Sequence, residues 1–236
     1  MTRGLIIPSK DMSSSKKRRR EPGPAGLHNI QVVDNEVSRV YSKLGRDAYT
    51  VAREHRAKLR SEGKYSESEA LQYGEIDCAA FSRLLVGLEL DSGASFLDIG
   101  SGSGKAVHVA ASTGTFSKAT GVEIVEDLHM MALKAKDEME KTTITEIHFI
   151  NDDCFNCEWH ATVLFLPITC FTPEMVVCVC EKMKTVQKGC LILCTSTLTP
   201  LDDDSLCGAT SLKRLSKTRI RYGKGTMEFT VYEKIS

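Results

Sequence analysis

The sequence carries no excess of charge, no long apolar run and no internal repeat, and the first two absences each remove a class of protein. Its 31 Lys and Arg residues balance 31 Asp and Glu residues, so no global field draws it to nucleic acid or to a membrane surface. No apolar stretch approaches the roughly 18 residues that a membrane helix requires. Leu5-Ile6-Ile7 is stopped by Pro8 and is too short for a signal-peptide core. The expectation is an intracellular protein with no membrane partner. A zinc framework is missing too. Cys154-x-x-Cys157 has suitable spacing but no convincing second pair, so no metal is expected. Most other cysteines lie in apolar stretches such as Val176-Val177-Cys178-Val179-Cys180, where they act as small hydrophobes.

What is present is enough for one ordinary domain and a tail. The chain has 236 residues, 42% of them apolar, which supports a sizeable core. Residues 1–30 read as a disordered basic tail with little to bury. Within it, Lys16-Lys17-Arg18-Arg19-Arg20 is a compact basic run of the kind that serves as a nuclear address or a phosphate-binding arm. Residues 31–236 read as the folded domain, helical over 31–90 and sheet-forming over 91–236. Val37, Val40, Leu44, Ala48 and Val51 recur at helical spacing across a segment at 34–61, and Ala79 to Leu88 gives another helix. Strands and helices then alternate from Phe96 to about 196, which implies a parallel sheet covered on both faces. Thr218 to Tyr222, a Gly-Lys-Gly turn, and Met227 to Ile235 read as an antiparallel hairpin.

Chemistry concentrates where the first of these strands ends. Asp98-Ile99-Gly100-Ser101-Gly102-Ser103-Gly104 is a glycine-rich turn leading into a helix that points its amides at a ligand. A nucleoside triphosphate would want Lys followed by Ser or Thr, whereas Lys105 precedes Ala106. A dinucleotide is compatible with Gly100-x-Gly102, but Asp98 would repel a pyrophosphate. That same acid suits the cationic amino-acid end of S-adenosylmethionine. Glu123, after the second strand, can accept both ribose hydroxyls, and Asp153, after the third, can accept from the adenine amino group. The bland alternative is a packing turn flanked by surface acids. Near the C-terminus, Lys213, Arg214, Lys217, Arg219, Arg221 and Lys224 form a basic stretch without an intervening acid. It suits DNA phosphates, or an edge strand guarded by charge.

These residues resemble a known family. Tyr73-Gly74-Glu75-Ile76, the run from Phe96 through Leu97 and Asp98 to Lys105, and Gly121-Val122-Glu123 look like the disruptor-of-telomeric-silencing histone lysine methyltransferases. Asp153-Cys154-Phe155 with Trp159 matches that family's spacing. The likeness continues more weakly through Phe171 to Glu174, Lys188-Gly189 and Thr199-Pro200-Leu201. It implies a doubly wound, seven-stranded, mostly parallel sheet, a nuclear location, and a histone lysine on the nucleosome as substrate. It further implies that Tyr73 to Ile76 and Phe96 to Lys105 line the cofactor, that Glu123 holds the ribose, and that Asp153 with Cys154 holds the adenine. The chain departs from the family after the fourth strand. Pro167, Ile168 and Thr169 stand where the family has two asparagines and a phenylalanine, with Phe171 as the surviving aromatic. In the last hairpin, Gly223 and Thr230 fall where the family has an aromatic pair. Ile168, Phe171 and Phe229 are therefore the expected apolar walls of the substrate channel. No catalytic base is assigned, and the altered Pro167-Ile168-Thr169 segment leaves two alternatives, a methyltransferase for a non-histone substrate and a cofactor-binding, non-catalytic chromatin module.

Overall fold

The alternation of elements resolves, in a computed structural model that describes residues 24–195, 212–223 and 225–236, into one seven-stranded sheet. Strands β1 (Ala94–Ile99), β2 (Phe116–Val122), β3 (Glu146–Ile150), β4 (Val163–Leu166) and β5 (Leu191–Thr195) are parallel. Strands β6 (Leu212–Tyr222) and β7 (Gly225–Lys234) form the hairpin, with β7 antiparallel to β5. The order across the sheet is β3-β2-β1-β4-β5-β7-β6. It reverses between β1 and β4, and a crevice opens beyond the carboxyl ends of strands at such a switch point.

Each central strand sends successive side chains to opposite faces. Phe96, Val163, Phe165, Leu193, Phe229 and Val231 meet α1 (Pro24–Tyr41), α4 (Cys78–Val86) and α5 (Lys105–Ser112) on one side. Leu97, Ile99, Leu164, Leu166, Ile192 and Cys194 meet α7 (Pro173–Thr185) and Trp159 on the other. Double cover explains why β4 reads Val-Leu-Phe-Leu with all four side chains buried. Phe165 sits at the centre, with ring centroids 4.8 Å from Phe81 and 5.5 Å from Phe229. Truncating it to Ala would cost about 3–5 kcal/mol.

Helix starts follow the capping rules. Asp47, Asp77 and Thr172 accept backbone N–H bonds at the N-termini of α2 (Ala48–Ser61), α4 and α7, and α7 has Pro173 in its first turn. A short α3 (Tyr65–Ala70) follows α2, and α6 (Glu126–Met139) lies between β2 and β3. Three boundaries differ from the sequence expectation. Helix α1 begins at Pro24, inside the stretch that reads as tail. The segment at 34–61 is two helices, because Gly45 turns the chain at φ +73° and Asp47 then caps a new start. Strand β6 begins at Leu212, not Thr218; a register shift between Arg214 and Ser216 and exposed charges mask its alternation. The basic run Lys16 to Arg20, Thr199 to Leu201, and Lys224 lie outside the described residues. Among the described residues no helix is long and apolar enough to cross a membrane, and no three His, Cys, Asp or Glu side chains gather as a metal site.

Candidate functional site

At the switch point the glycine turn folds back on β2. The amides of Gly100 and Ser101 both donate to Val122 O, at 2.9 Å. Gly100, Gly102 and Gly104 all have positive φ, between 55° and 84°. At Gly102 the requirement is double. A Cβ there would be strained by its backbone and would lie 2.5 Å from Tyr73 Cε2. The turn therefore accepts Tyr73 as a close cover, and the Tyr73 hydroxyl reaches Ser103 Oγ (2.8 Å) and donates to Glu75 Oε1 (2.9 Å). Lys105, at the start of α5, pairs with Glu75 Oε2 and lies over the Tyr41 ring. Tyr41 donates to Ser103 O (2.6 Å) and is 2.8 Å from His108 Nδ1. With the Tyr41 proton used on a carbonyl, His108 must donate from Nδ1, which leaves its buried Nε2 without a partner among the described residues. Burial pushes the His108 pKa down to about 3, so the ring is neutral.

The three expected acids converge on this turn. Glu123, one residue past β2, accepts from Gly102 N (2.7 Å) and Val125 N (2.8 Å). Burial raises its pKa, and these backbone bonds oppose the rise. Two bonds leave lone pairs on its oxygens for a ligand's hydroxyls. Asp153 caps a short 3-10 turn (Cys154–Asn156) and accepts from Phe155 N. Trp159, 1% exposed, fixes that turn by donating from Nε1 to Cys154 O at 2.9 Å. Burial pushes the Cys154 thiol up to about 12, so it stays protonated against the cavity wall. Asp98 is 2% exposed, and its Oδ1 has no hydrogen-bond partner among the described residues. Burial first, and the nearby Glu123 second, push its pKa well above the usual carboxylate range.

A cavity of about 660 Å³ lies against this turn, within the usual range for ligand pockets. Its wall includes Gly100, Glu123, Asp153, Cys154, Phe171 and Tyr222. A second, small space of about 20 Å³ holds Asp98, Glu75 and Lys105. The charges there, two carboxylates and one ammonium, suit a zwitterionic amino-acid group, and the orphaned Asp98 Oδ1 gives an ammonium a place to bind. Of the expected cofactor-lining residues, Phe96 and Leu97 are core side chains on opposite faces of β1 and line neither space. Ser103 and Gly104 also line neither space: Ser103 is fully buried and supports the turn from behind, and Gly104 is buried against Phe149 and Ala132. Tyr73, Gly74, Ile99, Gly100, Ser101, Gly102, Glu123, Asp153 and Cys154 line the large cavity, and Ile76 lines the small space.

The expected substrate walls divide. Phe171 lines the cavity. Ile168 and Phe229 do not. Ile168 is 1% exposed in the core on the α7 side, and Phe229 is 0% exposed on the α1 side, packed near Phe165. The residues that take their place are Tyr222, Met175 and Met227. Tyr222 could have been found from the hairpin's alternation, since Ile220 and Tyr222 share the inward face of β6. The tyrosines at 41 and 49 and His108 carry no sequence signal, because they belong to a packed network and not to a motif.

The family of histone methylation protein DOT1 matches the chain over residues 49–232. No curated protein sequence matches it significantly. Among solved structures, it is similar to the magnesium protoporphyrin IX methyltransferase of Synechocystis with S-adenosylmethionine bound, at 9% identity and a TM-score of 0.56, over 87% of this chain and 97% of that one. It is also similar to a ribosomal protein L11 methylase of Lactobacillus delbrueckii, at 11% identity and a TM-score of 0.50, over 66% and 78% of the two chains. At such identities the likeness is one of fold. The protein is an S-adenosylmethionine-dependent methyltransferase. The family match runs from the second helix into the last strand and takes in every residue that lines the cavity; the chain belongs to the DOT1 histone methylation protein family.

Proposed function

We propose that this protein is a protein-lysine N-methyltransferase acting on a nucleosomal histone in the nucleus. The observation that carries the reading is the family match across 184 of the 236 residues, counted from 49 to 232 inclusive. S-adenosylmethionine supplies an electrophilic methyl group. Around it, Glu123 accepts the ribose hydroxyls, Asp153 the adenine amino group, and Asp98 the ammonium of the amino-acid end. Phe171, Met175, Met227 and Pro167 give the cavity an apolar wall. Such a wall disfavours the charged form of an acceptor amine and so keeps its lone pair available for attack. The acids Glu69, Asp152 and Asp153 also line this cavity, and their charge favours arrival of a lysine ammonium.

The exposed face of β6 supports a nucleic-acid contact. Lys217, Arg219 and Arg221 alternate with Thr218, Ile220 and Tyr222 and so project from one face. Lys217 and Arg219 share Glu228 at 3.2 and 3.7 Å. The strand itself ends at the cavity, where Tyr222, on its opposite face, and Gly223 line the wall. A non-histone acceptor is the second reading, favoured by Pro167-Ile168-Thr169 in place of the family's polar motif. Transfer of labelled methyl groups to nucleosomes, free histones and whole extract decides between them. Labelled histone H3 or H4 from nucleosomes supports the first reading, and label confined to other proteins of the extract refutes it.

A further inference from the structure

The large cavity and the small space at Asp98 share six lining residues: Tyr73, Gly74, Gly100, Ser101, Pro167 and Tyr222. These six form the neck between the two. A ligand held at Glu123 and Asp153 by its adenosine, and at Asp98 by its amino acid, must thread this neck with its middle. The middle of S-adenosylmethionine is the sulfonium, the one cation that S-adenosylhomocysteine lacks. The neck offers that cation two aromatic rings. Tyr73 is committed, with its hydroxyl bonded to Glu75 and Ser103 and its ring edge against Gly102 and Tyr49. Tyr222 is not. Its hydroxyl makes no hydrogen bond among the described residues, and the side chain is only half-buried. Its ring is set from behind by Phe229, with centroids 6.0 Å apart and planes at 62°. Gly74 sets it from the side, since a Cβ there would lie 2.5 Å from Tyr222 Cε1.

We propose that Tyr222 is a cofactor-contacting residue whose ring reads the positive charge at the centre of the cofactor, and so separates S-adenosylmethionine from its spent product. An aromatic face attracts a cation electrostatically and has no such attraction for a neutral thioether. The proposal rests on the cofactor placement above and is independent of the acceptor. Hairpin residue Tyr222 thereby couples the sheet's far edge to the chemistry, where the family's polar motif is absent.

Calorimetric titration of the full chain with each of the two ligands tests this without turnover. Tyr222→Leu should lower the preference for S-adenosylmethionine over S-adenosylhomocysteine by about threefold to thirtyfold. Tyr222→Trp should keep or raise the preference, and Gly74→Ala, which pushes the ring aside, should lower it. Glu123→Ala should weaken both ligands alike; if it weakens neither, the cofactor placement fails and this inference with it. If Glu123→Ala behaves as expected but Tyr222→Leu changes both affinities equally, or neither, the ring is only a wall and the inference is wrong. Should Tyr222→Leu fail to fold, an unchanged preference in Gly74→Ala overturns it.

Discussion

Asp98→Asn should make the free protein more stable and the cofactor complex weaker, and the two effects share one cause. The Asp98 carboxyl is 2% exposed, its Oδ1 is unpartnered among the described residues, and the cation nearest in the small space, Lys105, is paired with Glu75 instead. Its pKa in the folded protein is raised above the unfolded value. The folded state then binds more protons, so stability falls as pH rises from about 4 through the folded pKa. An unsatisfied buried polar group costs about 1–3 kcal/mol. Asn keeps the shape and loses the charge but still has polar atoms to satisfy, so a gain near the low end, about 1 kcal/mol, is expected. For a chain of this size that is about 2–4 °C in Tm. A charge-assisted hydrogen bond to the cofactor ammonium is worth about 1.5–3 kcal/mol, so affinity for S-adenosylmethionine should fall about tenfold to a hundredfold. Thermal melts of the free proteins at pH 5 and pH 8, with calorimetric titration of the cofactor, read both effects. The stability difference between wild type and Asp98→Asn should be larger at pH 8. A variant that is less stable at pH 8 than wild type and binds the cofactor unchanged refutes the assignment.

Three further outcomes follow from the same geometry. Glu123→Ala should lower cofactor affinity about tenfold or more, because the ribose hydroxyls lose their acceptor and the glycine turn loses its tie at Gly102; calorimetry measures it. Stability should fall as pH drops below about 6.5, by up to about 1.4 kcal/mol per unit until about pH 3, because His108 is held neutral while the unfolded chain takes up the proton; urea melts against pH should show this slope flattened in His108→Gln. Reversing Arg219 and Arg221 to Glu should flatten the salt dependence of nucleosome binding, by about 0.9 in slope for each phosphate no longer neutralised, and filter binding across salt concentrations will read it.

The gathering of the three acids is legible in the sequence because they sit at strand ends. Each acid follows or closes a strand, and parallel strands deliver their carboxyl ends to one edge. Asp98, Glu123 and Asp153, spread over 56 positions from 98 to 153, therefore arrive at one turn. The acceptor half is not legible. Ile168 is apolar and follows β4, yet the turn after Leu166 directs it into the core, where Pro167 and Thr169 on either side line the cavity. Phe229 stands out in the sequence only by its place near the end of the hairpin. One residue's alternation decides which face an aromatic takes, and which of two buried faces meets the ligand depends on the whole sheet.

The segment from Glu75 to Asp77 is tied by its backbone to the end of β6. Ile76 bridges Tyr222, Asp77 N donates to Arg221 O at 3.0 Å, and Gly223 N donates to Glu75 O at 2.7 Å. The glycine turn and its two neighbouring strands can thus be complete while the strap that covers them still waits for a strand about 145 residues downstream, a closure that costs entropy before it returns any contact. During synthesis, a chain that has emerged only as far as β5 has the three acids in place but lacks the backbone ties that hold the segment of Glu75 to Asp77 against β6. Under the proposed placement of the cofactor, the cover over the methyl donor is therefore completed only with the final hairpin.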